Sequence, residues 1–262
     1  MKISVVVPAW GKTPYLAEAI ASLNAQTFRD IEIVECAPPA DGLQTAGAAR
    51  TVGVARATGE WVTFLDADDT LMPDAVERLA DAATGETDVV VSGLIRSGVK
   101  RLWDSDVWSM GPSDVFNCLV AKLFRRSLFD GLVRDDTVVL GEDLLLTAQV
   151  LCRAQKIAVV RDAFYQYRDN PISVTHSLDG RKRVRDLMRV GEILRQEMPD
   201  SSFADFHDRV TRDAMLLWIR HRLHDRAIWR ELRGRLKGGL LADPRHGILK
   251  KGALFCASCL FD

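Results

Sequence analysis

What the chain lacks narrows it first. Only 5 of its 262 residues are cysteine, an odd number at scattered positions, which argues against a disulfide framework and fits reduced thiols. Neither sign of charge dominates. With 35 Lys and Arg against 36 Asp and Glu, no global field directs the protein to nucleic acid or to an acidic polymer. Long apolar runs are missing as well: the opening Met1-Lys2-Ile3-Ser4-Val5-Val6-Val7-Pro8 is too short for a signal peptide or a membrane span, and no small-residue cleavage site follows it. It reads as a first strand, and the cytoplasm is the expected compartment. No internal repeats or low-complexity tracts point to a scaffold. The 47% hydrophobic content can fill a large core, in one principal domain with a smaller addition.

The most informative stretch is Trp61-Val-Thr-Phe-Leu-Asp66-Ala-Asp68-Asp69-Thr70, a β-prone apolar run that ends in three carboxylates. As a strand, residues 61–65 are buried on both faces, with the acids just past the C-terminal end. Open α/β sheets bind ligands at that edge, where Asp66 and Asp68 can hold a divalent cation through hard oxygen donors. The plainer alternative is an acidic turn before a helix starting at Pro73, with Asp69 or Thr70 as its cap.

Residues 3–7 form a β-branched run, and Thr13 can cap a helix with Pro14 at its first position. Residues 31–36 read as a second strand, 44–57 as an Ala-rich second helix, and Gly59 closes that helix before the acid-bearing strand. This βαβαβ order predicts right-handed crossovers and a parallel sheet. Pro8-Ala9-Trp10, Glu35 and the acids then share one edge, and with Arg50 they are expected to line a nucleotide cleft.

Further along, a helix is expected over 73–83 and strands over 88–92, 156–160 and 164–168. Trp103 and Trp108 lie in a polar stretch, where they either pack or stack on a sugar face. From Arg181 onward, apolar residues recur at helical spacing in an Arg-rich context. His221 and His224 there read as part of a solvated basic face in preference to a metal pair, and Cys256-x-x-Cys259 as coincidence in preference to zinc. The tail places Lys250 and Lys251 before Leu254, Phe255, Leu260 and Phe261; too short to span a bilayer, it docks on the helices or touches a membrane surface.

Taken in order, Ser4-Val-Val-Val-Pro-Ala-Trp10, the helix running to Gln26-Thr27-Phe28, Ile31-Glu-Ile-Val34, Ala48-Ala-Arg-Thr-Val-Gly53, Ala57-Thr-Gly-Glu-Trp61 and Phe64-Leu-Asp-Ala-Asp-Asp69 resemble the successive signatures of family 2 glycosyltransferases. Lys122-Leu-Phe-Arg-Arg126 resembles that family's signature ahead of the acceptor region. Leu140-Gly-Glu142-Asp143 matches its Glu-Asp motif at a helix start, for which ordinary capping is the alternative, and Tyr167-Arg168 with Ser173-Val-Thr-His176 is similar to its loop over the diphosphate. One departure stands out. Where the family has paired aspartates followed by Gly-Ser, this chain has Glu35-Cys-Ala-Pro-Pro-Ala-Asp41, and the next strand is missing before Gln44. Glu35 or Asp41 can take over the base contact, or the base differs from uracil.

The resemblance implies an α/β domain of GT-A, Rossmann-like fold over 1–180 with a helical region over 181–262. It implies inverting transfer from a nucleotide-diphosphate sugar, UDP-linked, to a glycan or lipid-linked glycan acceptor in bacterial surface polysaccharide synthesis. Asp143 is the implied base and Glu142 its support. Mn²⁺ or Mg²⁺ would sit on Asp68 and Asp66, and Arg168, Ser173 and His176 would face the diphosphate. A nucleotidyltransferase and a catalytically silent sugar-binding module are the rival classes. The first lacks its phosphate loop, since Pro8-Ala-Trp-Gly-Lys12 is not one, and the second draws on the altered end of the second strand.

Overall fold

In the computed structural model of the chain, the residues described are 1–11, 14–102, 118–171, 178–200, 203–236, 250–251, 253–254 and 257. β1 (Ile3–Pro8) is β-branched and buried at every position, and β2 (Ile31–Cys36) and β3 (Trp61–Phe64) flank it in parallel. The register sets Pro8 opposite Cys36 and Val6 opposite Phe64, so the three C-terminal ends finish together at one edge. β4 (Thr70–Leu71), β5 (Val89–Arg96), β6 (Val99–Arg101), β7 (Lys122–Arg125) and β8 (Ile157–Tyr167) complete an eight-stranded sheet. Its order is β2-β1-β3-β7-β5-β8-β4, with β6 on β5. β7 runs antiparallel between β3 and β5, making the sheet mixed where the sequence reading had specified only its parallel portion.

β8 is one strand where two were expected. The polar pair Arg161-Asp162 interrupts the apolar pattern, yet pairing to β5 continues across it through register shifts on either side of Gly93. A Cβ at Gly93 would lie 2.5 Å from the Arg101 carbonyl and 3.0 Å from that of Asp162, so the strands cross there only because the side chain is missing.

α1 (Leu16–Asn24), α2 (Ala46–Arg56) and α3 (Ala75–Ala82) connect the strands. Thr45 caps α2 by accepting from the Ala48 N–H. Packing draws α2 in close: a Cβ on Gly53 would come within 2.4 Å of Val6 Cγ1 and 2.8 Å of Cys36 Sγ. α4 (Glu142–Arg153) starts after Gly141, whose φ of 90° is strained for any residue with a side chain. The helices α5 (Gly180–Glu197), α6 (Ala204–Arg220) and α7 (Arg226–Arg235) follow. Asp179 caps α5 and Asp225 caps α7. Val190, Ile193, Leu194 and Val210 enter the same core as β1, β3 and α4, while Val184, Met215, Trp218 and Trp229 build a second cluster. Leu254 and Ala257 are buried in that second cluster, so these tail residues dock on the helices; Phe255, Cys256, Cys259, Leu260 and Phe261 lie outside the described residues. Cys36, Cys118 and Cys152 are free thiols.

One side chain ties the sheet's N-terminal edge together. The Glu32 carboxylate accepts from Ser4 Oγ at 2.5 Å, and from the Thr58 N–H and Oγ1 at 2.8 Å each; Lys2 Nζ stands 3.6 Å away. Burial by itself raises its pKa, but these donors outweigh it and hold the acid down at about 2. Because the folded-state value is depressed, the stabilisation is complete above the ordinary 4.5 and is lost as pH falls toward about 2. We expect Glu32→Gln to lower the unfolding free energy by about 1–2 kcal/mol at neutral pH, with the gap closing in acid. Urea denaturation from neutral to acidic pH measures it, and a constant gap would contradict the assignment.

Candidate active site

A single buried cation gathers the principal acids. Arg50, near the middle of α2 and only 4% exposed, directs Nη2 to Asp66 Oδ1 and Nη1 to both Glu142 Oε1 and Asp143 Oδ1, each at 2.6 Å. The first carboxylate follows β3 and the other two open α4, so one guanidinium joins the acids of two separate elements. Arg50 was expected in the base and ribose pocket. Its forked side chain is instead committed to three carboxylates, the geometry that guanidinium favours. Gly141 leaves room for the α4 N-terminus, since a Cβ there would lie 3.0 Å from Leu187.

A second group forms around the turn after Asp66. Asp69 is buried and capped from two directions: Tyr165 Oη donates to its Oδ2 at 2.5 Å, and the Arg168 N–H to its Oδ1 at 2.7 Å. Tyr165 Oη also accepts from the Asp66 N–H at 3.2 Å. Asp68 stays partly exposed, with Asn170 Nδ2 at 2.9 Å from its Oδ2. Arg168 was expected to offer its fork to phosphate. Here its Nε donates to the Asp68 carbonyl at 2.9 Å, its Nη2 pairs with Glu18, and its guanidinium lies 4.3 Å from the centre of the Tyr15 ring. Sequence reasoning missed Tyr165, Asn170 and Glu18; the signal for Tyr165 was a hydroxyl beside the apolar pair Ala163-Phe164, the three together being the buried positions of β8.

Pro8, Ala9 and Trp10 lie at the end of β1, where the Ala9 N–H donates to the Cys36 carbonyl at 2.8 Å and Trp10 packs against the core. Glu35, opposite Val7, has an exposed side chain, and its carbonyl accepts from Arg56 at 3.0 Å. From β2 to α2 the chain makes a turn closed by the Gly42 N–H on the Pro39 carbonyl, with no intervening strand. Asp41 is exposed on that turn. Ser173, His176, Trp103 and Trp108 lie outside the described residues.

Negative charge exceeds positive here, and burial adds to it in raising the pKa of several of the acids. Burial, then the neighbouring Asp143 carboxylate, pushes Glu142 well above the carboxylate range despite Arg50, and burial likewise raises Asp66. Burial and the Asp66 charge push Asp69 up to about 8. Burial works against the Arg50 charge, but Asp143, Asp66 and Glu142 outweigh it and hold the guanidinium firmly protonated. Glu142 Oε2 is buried without a hydrogen-bond partner. Among the described residues no three His, Cys, Asp or Glu side chains converge to hold a metal by themselves, His221 and His224 included. Asp66 and Asp68 nevertheless fit a Mg²⁺- or Mn²⁺-type ion, which takes one or two carboxylates and fills its remaining positions with water and substrate phosphate. The excess of acid over base around them favours a cation in the same place.

Removing Arg50 would leave its carboxylates without their shared counter-ion. Arg50→Ala is expected to destabilise the fold by about 3–5 kcal/mol, and Arg50→Lys, a point charge without the fork, by less. Denaturant unfolding of the two variants measures this; wild-type stability for Arg50→Ala would show that the fork is not structural.

The sequence model of glycosyl transferase family 2 matches residues 42–133, starting just past the atypical end of β2. The succinoglycan biosynthesis protein ExoO of Rhizobium meliloti is 30% identical over 68% of this chain and 64% of its own length. The chain spans less than two thirds of the length of several curated relatives that it matches, ExoO among them. Among solved structures, S. aureus TarS in complex with UDP-GlcNAc superposes with a TM-score of 0.63 at 16% identity, over 90% of this chain and 80% of that one. The mannosyltransferase PcManGT from Pyrobaculum calidifontis, in complex with GDP-Man and Mn²⁺, gives 0.52 at 15% identity, over 99% and 80%. At these identities the two structures share the fold with this chain, and that fold is GT-A. With the family model matching the helix that carries Arg50 and the strand that carries the acids, and with glycosyltransferases among the relatives, the chain is similar to glycosyltransferase family 2.

Proposed function

We propose that this protein transfers a sugar from a nucleotide-diphosphate sugar, UDP-linked, to a hydroxyl of a glycan or lipid-linked glycan, inverting the anomeric centre, in the making of a bacterial surface polysaccharide. The observation that carries the reading is the Arg50 fork, which fixes Asp66 at the end of β3 and the Glu142–Asp143 pair at the start of α4 within one guanidinium's reach of each other. The UDP-GlcNAc held by TarS supports the donor class, and the succinoglycan role in the name of ExoO supports the setting. Among the described residues no helix is long and apolar enough to cross a membrane. We assign the enzyme to the cytoplasmic side, reaching acceptors at the inner face of the membrane.

Direct displacement needs a base on the side of the sugar opposite the diphosphate, because the attacking hydroxyl loses its proton as its oxygen bonds to the anomeric carbon. Asp143 takes that proton in our reading. Glu142, whose pKa burial raises, is in our reading the support of that base, held beside it on the same guanidinium. Arg50 fixes the direction of the Asp143 carboxylate through its 2.6 Å contact. The sugar–diphosphate bond breaks with charge building on the leaving oxygens. A divalent cation held by Asp68 and Asp66 would neutralise that charge. Pro8 to Trp10 and Glu35 would contact the base and ribose; Arg168, Ser173 and His176 would contact the diphosphate. A silent binding module is the second reading, favoured by the exposed Glu35 and the turn that stands in place of the family's paired acids.

Two experiments test the reading. Asp143→Asn keeps shape and removes basicity, so turnover of UDP-sugar with acceptor should fall by about 10²–10⁴ while donor affinity by calorimetry is retained. Unchanged turnover would reject Asp143 as the base, and absence of acceptor-dependent UDP release by the parent protein would favour the silent module. Chelation should abolish turnover, with Mn²⁺ or Mg²⁺ restoring it in the parent protein but far less in Asp68→Asn. Full activity in chelator would refute the cation site.

A further inference from the structure

Beyond the donor edge, a cavity of about 720 Å³ opens on the other side of the Glu142–Asp143 pair. Its floor is the segment leading into α4, and its walls come from α5, α6 and the tail. Leu187, Leu216, Leu217 and Ile219, all partly exposed, face it with Val139 and Leu140. Among the described lining residues there is no aromatic ring to stack on a sugar face, no amide and no hydroxyl side chain. Three cations also line it. Arg183 is tied by its Nε to the Leu178 carbonyl at 3.1 Å, whereas Arg220 and Lys250 are exposed. Besides the Glu142–Asp143 pair, Asp213 is the one acid on the walls among the described residues. The described tail residues Lys250 and Ala253 form part of the lining.

We infer that this cavity is the acceptor site and that it takes an acceptor carried on an anionic lipid, with the apolar chain along the leucine wall, the phosphate at Arg220 and Lys250, and the acceptor hydroxyl at Asp143. The inference rests on the transferase reading and narrows it, selecting a lipid-linked acceptor over a free glycan. Aliphatic walls attract a hydrocarbon chain through the water they release, and cations at the same cavity match a phosphate head. A free polysaccharide would find no stacking surface there, and much of the wall would give its hydroxyls no partner. Asp143 belongs to both the cavity lining and the Arg50 fork, which lets a bound acceptor meet a donor held on the Asp66 side.

The test is binding to the full chain without donor. The probe is farnesyl phosphate below its micelle concentration, and the readout is tryptophan fluorescence, since Trp218 and Trp229 sit 5.0 Å apart between ring centres beside the α6 wall. Saturable binding is expected for farnesyl phosphate, binding about tenfold weaker for farnesol, and none for inorganic phosphate. The double variant Arg220→Ala with Lys250→Ala should weaken farnesyl phosphate about tenfold and leave farnesol unchanged. Leu217→Arg should abolish both; if circular dichroism shows that it fails to fold, Leu216→Gln replaces it, with a partial loss expected. No saturable binding of farnesyl phosphate, or binding indifferent to all of these substitutions, overturns the inference. UDP-sugar calorimetry on the same samples separates the two levels: donor binding with no lipid binding rejects the lipid site and leaves the transferase reading intact, while lipid binding with no donor binding supports the site and counts against the donor.

Discussion

Everything at the centre of this molecule depends on one guanidinium kept out of water. Arg50 is charged, almost wholly buried and surrounded by acids, a placement that desolvation opposes and only several close carboxylates can sustain. The acids need it equally, since Asp66, Glu142 and Asp143 would repel one another without it. The result is mutual: the fork ties the end of β3 to the start of α4. Excess negative charge remains after that pairing, and with burial it raises the pKa of Glu142 and Asp69.

The helical region reaches the same centre by another route. Asp186 of α5 is buried and accepts the N–H groups of Val139 and Leu140 at 3.0 Å each, while Lys182 pairs with it and donates to the Thr137 carbonyl at 2.7 Å. A carboxylate from α5 thus caps the backbone immediately before the turn that launches Glu142 and Asp143. The C-terminal helices are in this sense the far wall of the site and a clamp on its acids, and their shared core with β1 and β3 gives the clamp a rigid base.

Much of this was legible beforehand, and the reasons for the gaps are physical. β1, β2, β3 and their parallel order follow from β-branched runs between turn signals, and residues 31–36 match β2 at both ends. Asp66, Glu142 and Asp143 were recognisable as acids at element ends. Their partner was not, because Arg50 lies 16 residues from Asp66 and 92 from Glu142, and an Ala-rich helix does not reveal which of its faces meets the sheet. The Asp69–Tyr165 contact spans 96 residues and depends on how β8 bends across its bulge, which local pattern does not encode. The apolar spacing after Arg181 announced helices but not the hollow that they enclose beside α4.

Gly53 carries a consequence that reaches beyond packing. It sits one turn along α2 from Arg50, at the point where the helix backbone lies against Val6 and Cys36 too closely for a methyl group. The depth at which α2 rides on the sheet therefore sets where the guanidinium stands, and with it the separation of the carboxylates on either side. Helix depth acts as a mechanical setting for the acid cluster. A side chain at position 53 would therefore move three carboxylates that it does not touch.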